Sequence, residues 1–334
     1  MAQQAVIQTA GSANEPTAEH RAPLGLFEKA RVAAAIGAAV LLLYTIGWMV
    51  AQPTDPNLAV TFVRSGRAIP AVWPALAILS VVAGIVGTVI AGPRLPEAGL
   101  FAAAIGLAVL STHGGSMMSL LANEGATDEP SRKAFMMAML IDCALWSGIM
   151  FAAWIAVNWT YRWVWLQGGQ SPVGQQEERT EPGKNAKPQA AGAIERMGWP
   201  ALVVTGVVAV FIVWLTAGRT PVANVLRGQT IAAVAGGLYL GAMASRYFTG
   251  IRDVRFYLLA VPAAGLMAYV VGYLSADMSW AQGTRYQYYV YLATTPTHDL
   301  ARPLPIEYLA VGTAAVLAGF WGGDKMEQVA IEAI

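Results

Sequence analysis

One cysteine and three histidines among 334 residues leave little material for redox, haem or zinc chemistry. Cys143 stands alone, which excludes an intrachain disulfide framework and any CxxC motif. With His20 in a polar N-terminal stretch, a bis-histidine haem within one half of the chain is excluded as well. Charge is equally scarce: Asp, Glu, Lys and Arg make up 12% of the chain, the net charge is +1, and no basic face gathers to meet nucleic acid. No lysine lies within a long apolar run, which removes a retinal Schiff base, and no Walker, HExxH or GxSxG pattern occurs. Enzyme readings have little to stand on, and the residues identify no cofactor.

What the chain has instead is apolar length. Hydrophobic residues account for 56% of it, and the mean hydropathy is +0.49, far from the balance of a domain that covers itself in charge. A bilayer core about 30 Å thick takes roughly 20 apolar helical residues, because an unpaired backbone group in hydrocarbon costs several kcal/mol and a helix pairs them internally. Charge-free runs fall between Arg31 and Asp55, Arg67 and Arg94, Glu97 and Glu124, Arg196 and Arg219, Arg227 and Arg246, Arg255 and Asp277, and Glu307 and Asp324. One more, from Lys133 to Arg162, is interrupted only by Asp142. The expected fold is therefore all-α: a polytopic transmembrane helical bundle of about eight spanning helices, with the lipid bilayer as its first partner.

Five segments follow: an N-terminal tail (1–30), a first four-helix half (31–166), a polar linker rich in Gly, Pro and Gln (167–196), a second four-helix half (197–323) and a C-terminal tail (324–334). The tails, linker and even-numbered connections carry 13 basic residues against 8 on the odd-numbered side, which places both termini in the cytoplasm, at a membrane of the bacterial cytoplasmic type. An even number of helices per half permits a parallel duplication. Trp159, Tyr161, Trp163, Trp165 and Trp199 read as anchors at the headgroup level.

Small residues mark where helices approach closely: Ala233, Gly237, Gly241 and Ser245 in the sixth run, Ala315, Gly319 and Gly323 in the eighth, and Ala83, Gly87 and Ala91 in the second. Such stripes serve packing within the bundle or docking of other membrane subunits.

Two ionisable groups lie inside the runs, where each costs a few kcal/mol and invites explanation. His113, in "STHGGSMMS", and Asp142, in "AMLIDCALW", count to similar depths on neighbouring antiparallel helices. They form a candidate polar pair, either a structural clasp or part of a gate, and Gly114 and Gly115 are placed to break the third helix beside them. Met117, Met118, Met136, Met137 and Met139 with Cys143 and His113 are soft donors that suit Cu(I), though methionine is as readily an apolar filler. The seventh-to-eighth connection holds Tyr286, Tyr288, Tyr289 and Tyr291, a candidate partner-binding surface or a membrane-lying cap. Beyond it lie His298 and Asp299, a thin basis for lipid chemistry. The sequence thus supports a non-enzymatic integral membrane subunit or scaffold of a membrane complex; the alternative is a permease for a small solute using a His113/Asp142 gate.

Overall fold

The computed structural model describes residues 25–55, 57–64, 66–166, 198–217, 223–277 and 295–332. Among them every regular element is helical. In chain order these are α1 (Leu26–Ala51), α2 (Ile69–Ala91), α3 (Ala98–Ser111), α4 (Met117–Glu124), α5 (Glu129–Tyr161), α6 (Trp199–Thr216), α7 (Ala223–Thr249), α8 (Val254–Leu274) and α9 (Gly312–Glu332). A π turn, Leu43–Gly47, lies within α1; another, Arg162–Leu166, extends α5; a third, Glu307–Val311, leads into α9. The linker and the four tyrosines of the seventh-to-eighth connection lie outside the described residues.

Five of these helical stretches are long and apolar enough to cross a membrane: α1, α2, Glu129–Trp165 including α5, α6 and α8. The remaining three expected spans differ from the simple runs in the sequence. α7 and the α9 stretch are long but bring charged residues into the helix itself, and the third run breaks after 14 residues. At 1.5 Å per residue α3 reaches only about 21 Å, short of a hydrocarbon core. The helix boundaries also move outward: α1 begins at Leu26, inside the stretch read as tail, and α9 continues to Glu332, past Asp324.

The surface is inverted relative to a water-facing bundle. On α6, Val203, Val207, Phe211 and Leu215 are exposed while Ala201, Thr205, Ala209 and Val213 are buried, each set repeating every four residues. Large side chains face outward and small ones inward, the arrangement expected where lipid surrounds the helices and close packing drives their association.

The small-residue stripes meet inside the bundle. Gly237 sits where a Cβ would come within 2.9 Å of the Ala209 carbonyl, and at Gly241 within 2.7 Å of the Thr205 carbonyl. Ser245 Oγ donates to the Ala201 carbonyl at 3.1 Å, so the inner faces of α6 and α7 close on one another along their length. α9 packs on the other side of α7: Gly319 lies against the Tyr239 carbonyl and Gly323 against Arg246, with Ala315 buried above them. In the first half Gly87 lies against Gly99, joining α2 to α3, and Ala83 and Ala91 are buried on the same face. The halves do not repeat one packing scheme. α1, α2 and α3 form a mutually packed triangle with α5 against α2, whereas α6, α7, α9 and α8 close into a ring.

Two ends of the bundle can be distinguished. At the end where α1 starts, Arg31 donates to the Ile90 carbonyl, Arg94 pairs with Glu28, and Arg246 pairs with Asp324. The opposite, distal end gathers the α1–α2 connection, the break in α3, α4, the start of α7 and the segment before α9.

Candidate functional site

The break in α3 organises the distal end. Thr112 and His113 still donate backwards to Val109 and Leu110, tightening the last turn, and the chain then leaves the helical path. Gly114 and Gly115 are required there by close approach: a Cβ at Gly114 would lie 2.7 Å from the Leu58 carbonyl, and one at Gly115 would collide with the Asn57 carbonyl. Gly115 N–H donates to Leu58 O at 3.0 Å. Ser116 then caps α4, accepting from Ser119 N–H at 3.4 Å, and Gly125 ends that helix in the left-handed conformation.

The carbonyls released by the break are not left in hydrocarbon. Arg227, from the first turns of α7, directs Nη1 to Gly114 O and Nη2 to Ser111 O, while its Nε donates to Glu307 Oε1 at 3.3 Å. Glu307 is 1% exposed, and its other oxygen accepts from Leu304 N–H at 2.9 Å, which closes the start of the helix opened by Pro305. One guanidinium therefore links the first half of the chain, through α3, to the second, through α7 and the π turn before α9. Ser116, Met117, Met118, Arg227, Thr230, Pro296, Arg302 and Glu307 line a cavity of about 10 Å³ beside this link, room for about one water. Arg302 is held there by Asp299 at 2.9 Å, and Arg132 of α5, 1% exposed, donates to Thr295 O and Thr297 Oγ1.

His113 and Asp142 take different partners, and no hydrogen bond joins them. The imidazole stacks on Trp48 at 4.6 Å between ring centroids and contacts Tyr44 at 3.8 Å, both presented by the π turn of α1 and the residue after it. Asp142 is fully buried, and its Oδ1 accepts from the backbone N–H groups of Phe62 and Val63, the latter at 3.3 Å. The helical count placed the two residues at one depth by assuming an unbroken third helix. The break ends that register, and the α1–α2 loop comes between. Leu58, Ala59, Val60, Thr61 and Phe62 are all buried, so this loop is an internal cap that binds Gly115 at one point and Asp142 at another. Asp142 and Trp146, one helical turn apart on α5, are both fully buried.

The chain matches no family model, no curated protein and no solved structure.

The other sequence candidates disperse. Met136 and Met139 are buried with Cys143, Met137 is 44% exposed on the opposite side of α5, and Met117 and Met118 line the distal cavity. No group of three or more His, Cys, Asp or Glu side chains among the described residues is placed to hold a metal ion. His298 Nδ1 accepts from Leu300 N–H at 3.3 Å and Asp299 holds Arg302, so both shape the turn before α9. The residues that the sequence reading passed over are Arg227 and Glu307. Both marked the edges of charge-free runs and were counted as boundaries. The usable signal was Pro305, which starts a helix ahead of Glu307 and so draws the carboxylate inside it.

Proposed function

We propose that this chain is a permease-type membrane protein that handles a small polar solute at the break in α3. The observation that carries the reading is the Arg227 guanidinium, inserted between the carbonyls of an interrupted helix and facing Glu307 at the meeting of the two halves. Discontinuous helices whose released backbone groups face a buried polar site, at a junction between halves, are the construction by which transporter folds present solutes with binding groups inside a membrane. Intramembrane charges are costly enough that a folded chain retains them for a use. On the orientation expected from the basic residues, with both termini cytoplasmic, the site faces the exterior side of the membrane.

The competing reading, a subunit or scaffold, loses support from the small-residue stripes, since these are spent between α6, α7 and α9. It rests on the linker and the tyrosine-rich connection.

Liposome swelling with the purified full chain tests the proposal. Chloride, formate, urea and glycerol are supplied in turn, and at least one is expected to enter faster than in protein-free vesicles, with Arg227→Gln abolishing the effect. Equal rates for every solute, from a monodisperse preparation of native helicity, would remove the permease reading and leave the scaffold.

A further inference from the structure

We infer that the connection between α1 and α2 is a gate: residues 58–63 form a plug, seated on the break in α3 and held by Asp142, that lifts while the helices stay packed. A surface loop ordinarily keeps its middle in solvent, because a buried one carries backbone groups that need partners. Here the order is reversed. Thr54, Asp55 and Asn57 on one side and Gly66 and Arg67 on the other are exposed, while Leu58, Ala59, Val60, Thr61 and Phe62 between them are buried. The two ends meet: Gly66 adopts a φ of 72°, and a Cβ there would lie 2.5 Å from Thr54 Oγ1. A loop closed at its neck and packed through its own side chains is the Ω form, compact and frequently functional.

The seat of the plug is the glycine pair. A Cβ at Gly114 would stand 2.7 Å from the Leu58 carbonyl and 3.2 Å from the backbone of Ala59 and of Val60, and the carbonyl of the same glycine accepts from Arg227. One residue of backbone therefore separates the plug from the polar site. The plug contains no helix or strand, so individual contacts hold it. Gly115 N–H donates to Leu58 O at 3.0 Å, and the Phe62 ring lies 4.6 Å from that of Trp146. Asp142 alone supplies the acceptor for both Phe62 and Val63.

Beyond the plug, Arg64 pairs with Glu124 of α4 at 3.1 Å, with both side chains partly exposed, the kind of pair that contributes little. A segment held in this way belongs to the low-stability end of a fold, from which lids and binding loops are drawn. Its release uncovers the Gly115 N–H and the Asp142 carboxylate beside the broken helix.

The inference rests on the permease reading for what passes, but the lifting is measurable without transport, so the two fail separately. The chain's single cysteine supplies an internal reference: Cys143 is fully buried with its Sγ against Gly265 of α8, so a thiol reagent reaches it only when α5 and α8 part. Thr61→Cys places a second thiol in the plug, at a residue 2% exposed and with little change of volume. The full chain in detergent is treated with N-ethylmaleimide, and labelling at positions 61 and 143 is resolved by peptide mass analysis. Position 61 is expected to label at least about tenfold faster than Cys143. Asp142→Ala is expected to raise the rate at position 61 by a further factor of about ten and to leave Cys143 unchanged. Asp142→Asn, which keeps an acceptor without the charge, is expected to raise it less, and it decides the matter if Asp142→Ala does not fold. Equal rates at the two positions, a rise at both alike, or a rate at position 61 that neither variant moves would overturn the inference. A bulky maleimide attached at position 61 keeps the plug from reseating, and solute entry into liposomes is then expected to exceed that of the unlabelled chain. Entry that labelling leaves unchanged would remove the gate and keep the permease reading. Independent labelling at position 61 in a chain that admits no solute, labelled or not, would keep the lifting plug and remove the permease reading.

Discussion

Asp142 on α5 accepts the backbone N–H of Phe62, a residue of the connection between α1 and α2, through a hydrogen bond buried at both ends. A carboxylate from one helix thereby organises a loop that contributes no regular structure of its own. Removing the acceptor takes away the bonds that the N–H groups of Phe62 and Val63 make to Asp142, and losing the acceptor of a buried donor costs about 1–3 kcal/mol. Asp142→Ala is therefore expected to lower the thermal midpoint and to speed proteolysis between Leu58 and Arg64, whereas Asp142→Asn, which keeps an oxygen for Oδ1, is expected to fall between the two. Equal stability of Asp142→Ala and wild type would show that the loop holds itself.

Arg227 and Glu307 make a double-mutant cycle with a definite sign. Taking away one member of a buried pair leaves the other charged and unpaired, at roughly 3–5 kcal/mol. Arg227→Met alone is expected to destabilise more than Arg227→Met combined with Glu307→Gln, because the amide still accepts from Leu304 and no longer carries a charge. Unfolding midpoints of the three variants in one detergent give the coupling, and additive losses would contradict it.

Much of this architecture was readable as runs of uncharged residues, since hydrocarbon forces each run into a helix and the ends of runs into turns. The site was less readable, for a physical reason. Charge-free length measures where the chain can be buried in lipid, and it treats every arginine or glutamate as an end. Arg227 and Glu307 are instead drawn into the protein, where they satisfy each other and the carbonyls of Ser111 and Gly114. The break at Gly114 and Gly115 was visible as a pair of glycines, but its partner was not: the segment from Leu58 to Val63 reads as an exterior loop, and only its apolar content hinted that it would be buried. His113 was paired with Asp142 by counting along a helix that does not continue.

Two glycines of α7 test how strictly close packing governs the second half. Gly241 faces the Thr205 carbonyl, which a Cβ would approach to 2.7 Å, while a Cβ at Gly236 would have nothing within 4 Å. Gly241→Ala is expected to separate α6 from α7 and lose about 1–3 kcal/mol. Gly236→Ala is expected to gain about 0.5–1 kcal/mol by reducing backbone freedom in a helix interior. Opposite shifts in Tm from the same substitution in one helix are the signature; shifts of the same sign would place the α6–α7 contact elsewhere.

Acid should loosen α8 at its start. Asp253 caps that helix, accepting from Arg255 N–H at 3.0 Å and from the Arg255 guanidinium. The side-chain bond from Arg255 holds its carboxyl below the ordinary value of 3.8, against the opposing effect of partial burial. A carboxylate depressed in this way contributes stability that is fully present above its unfolded value and lost as pH falls through the lower folded one. Hydrogen exchange at the first turn of α8 is therefore expected to be slow at neutral pH and to accelerate as pH drops below 3.8, beyond the intrinsic pH trend. Asp253→Ala is expected to show the fast exchange at every pH, at a cost of about 1 kcal/mol for the lost cap. Exchange in the variant that still slows on raising the pH would assign the acid response to another group.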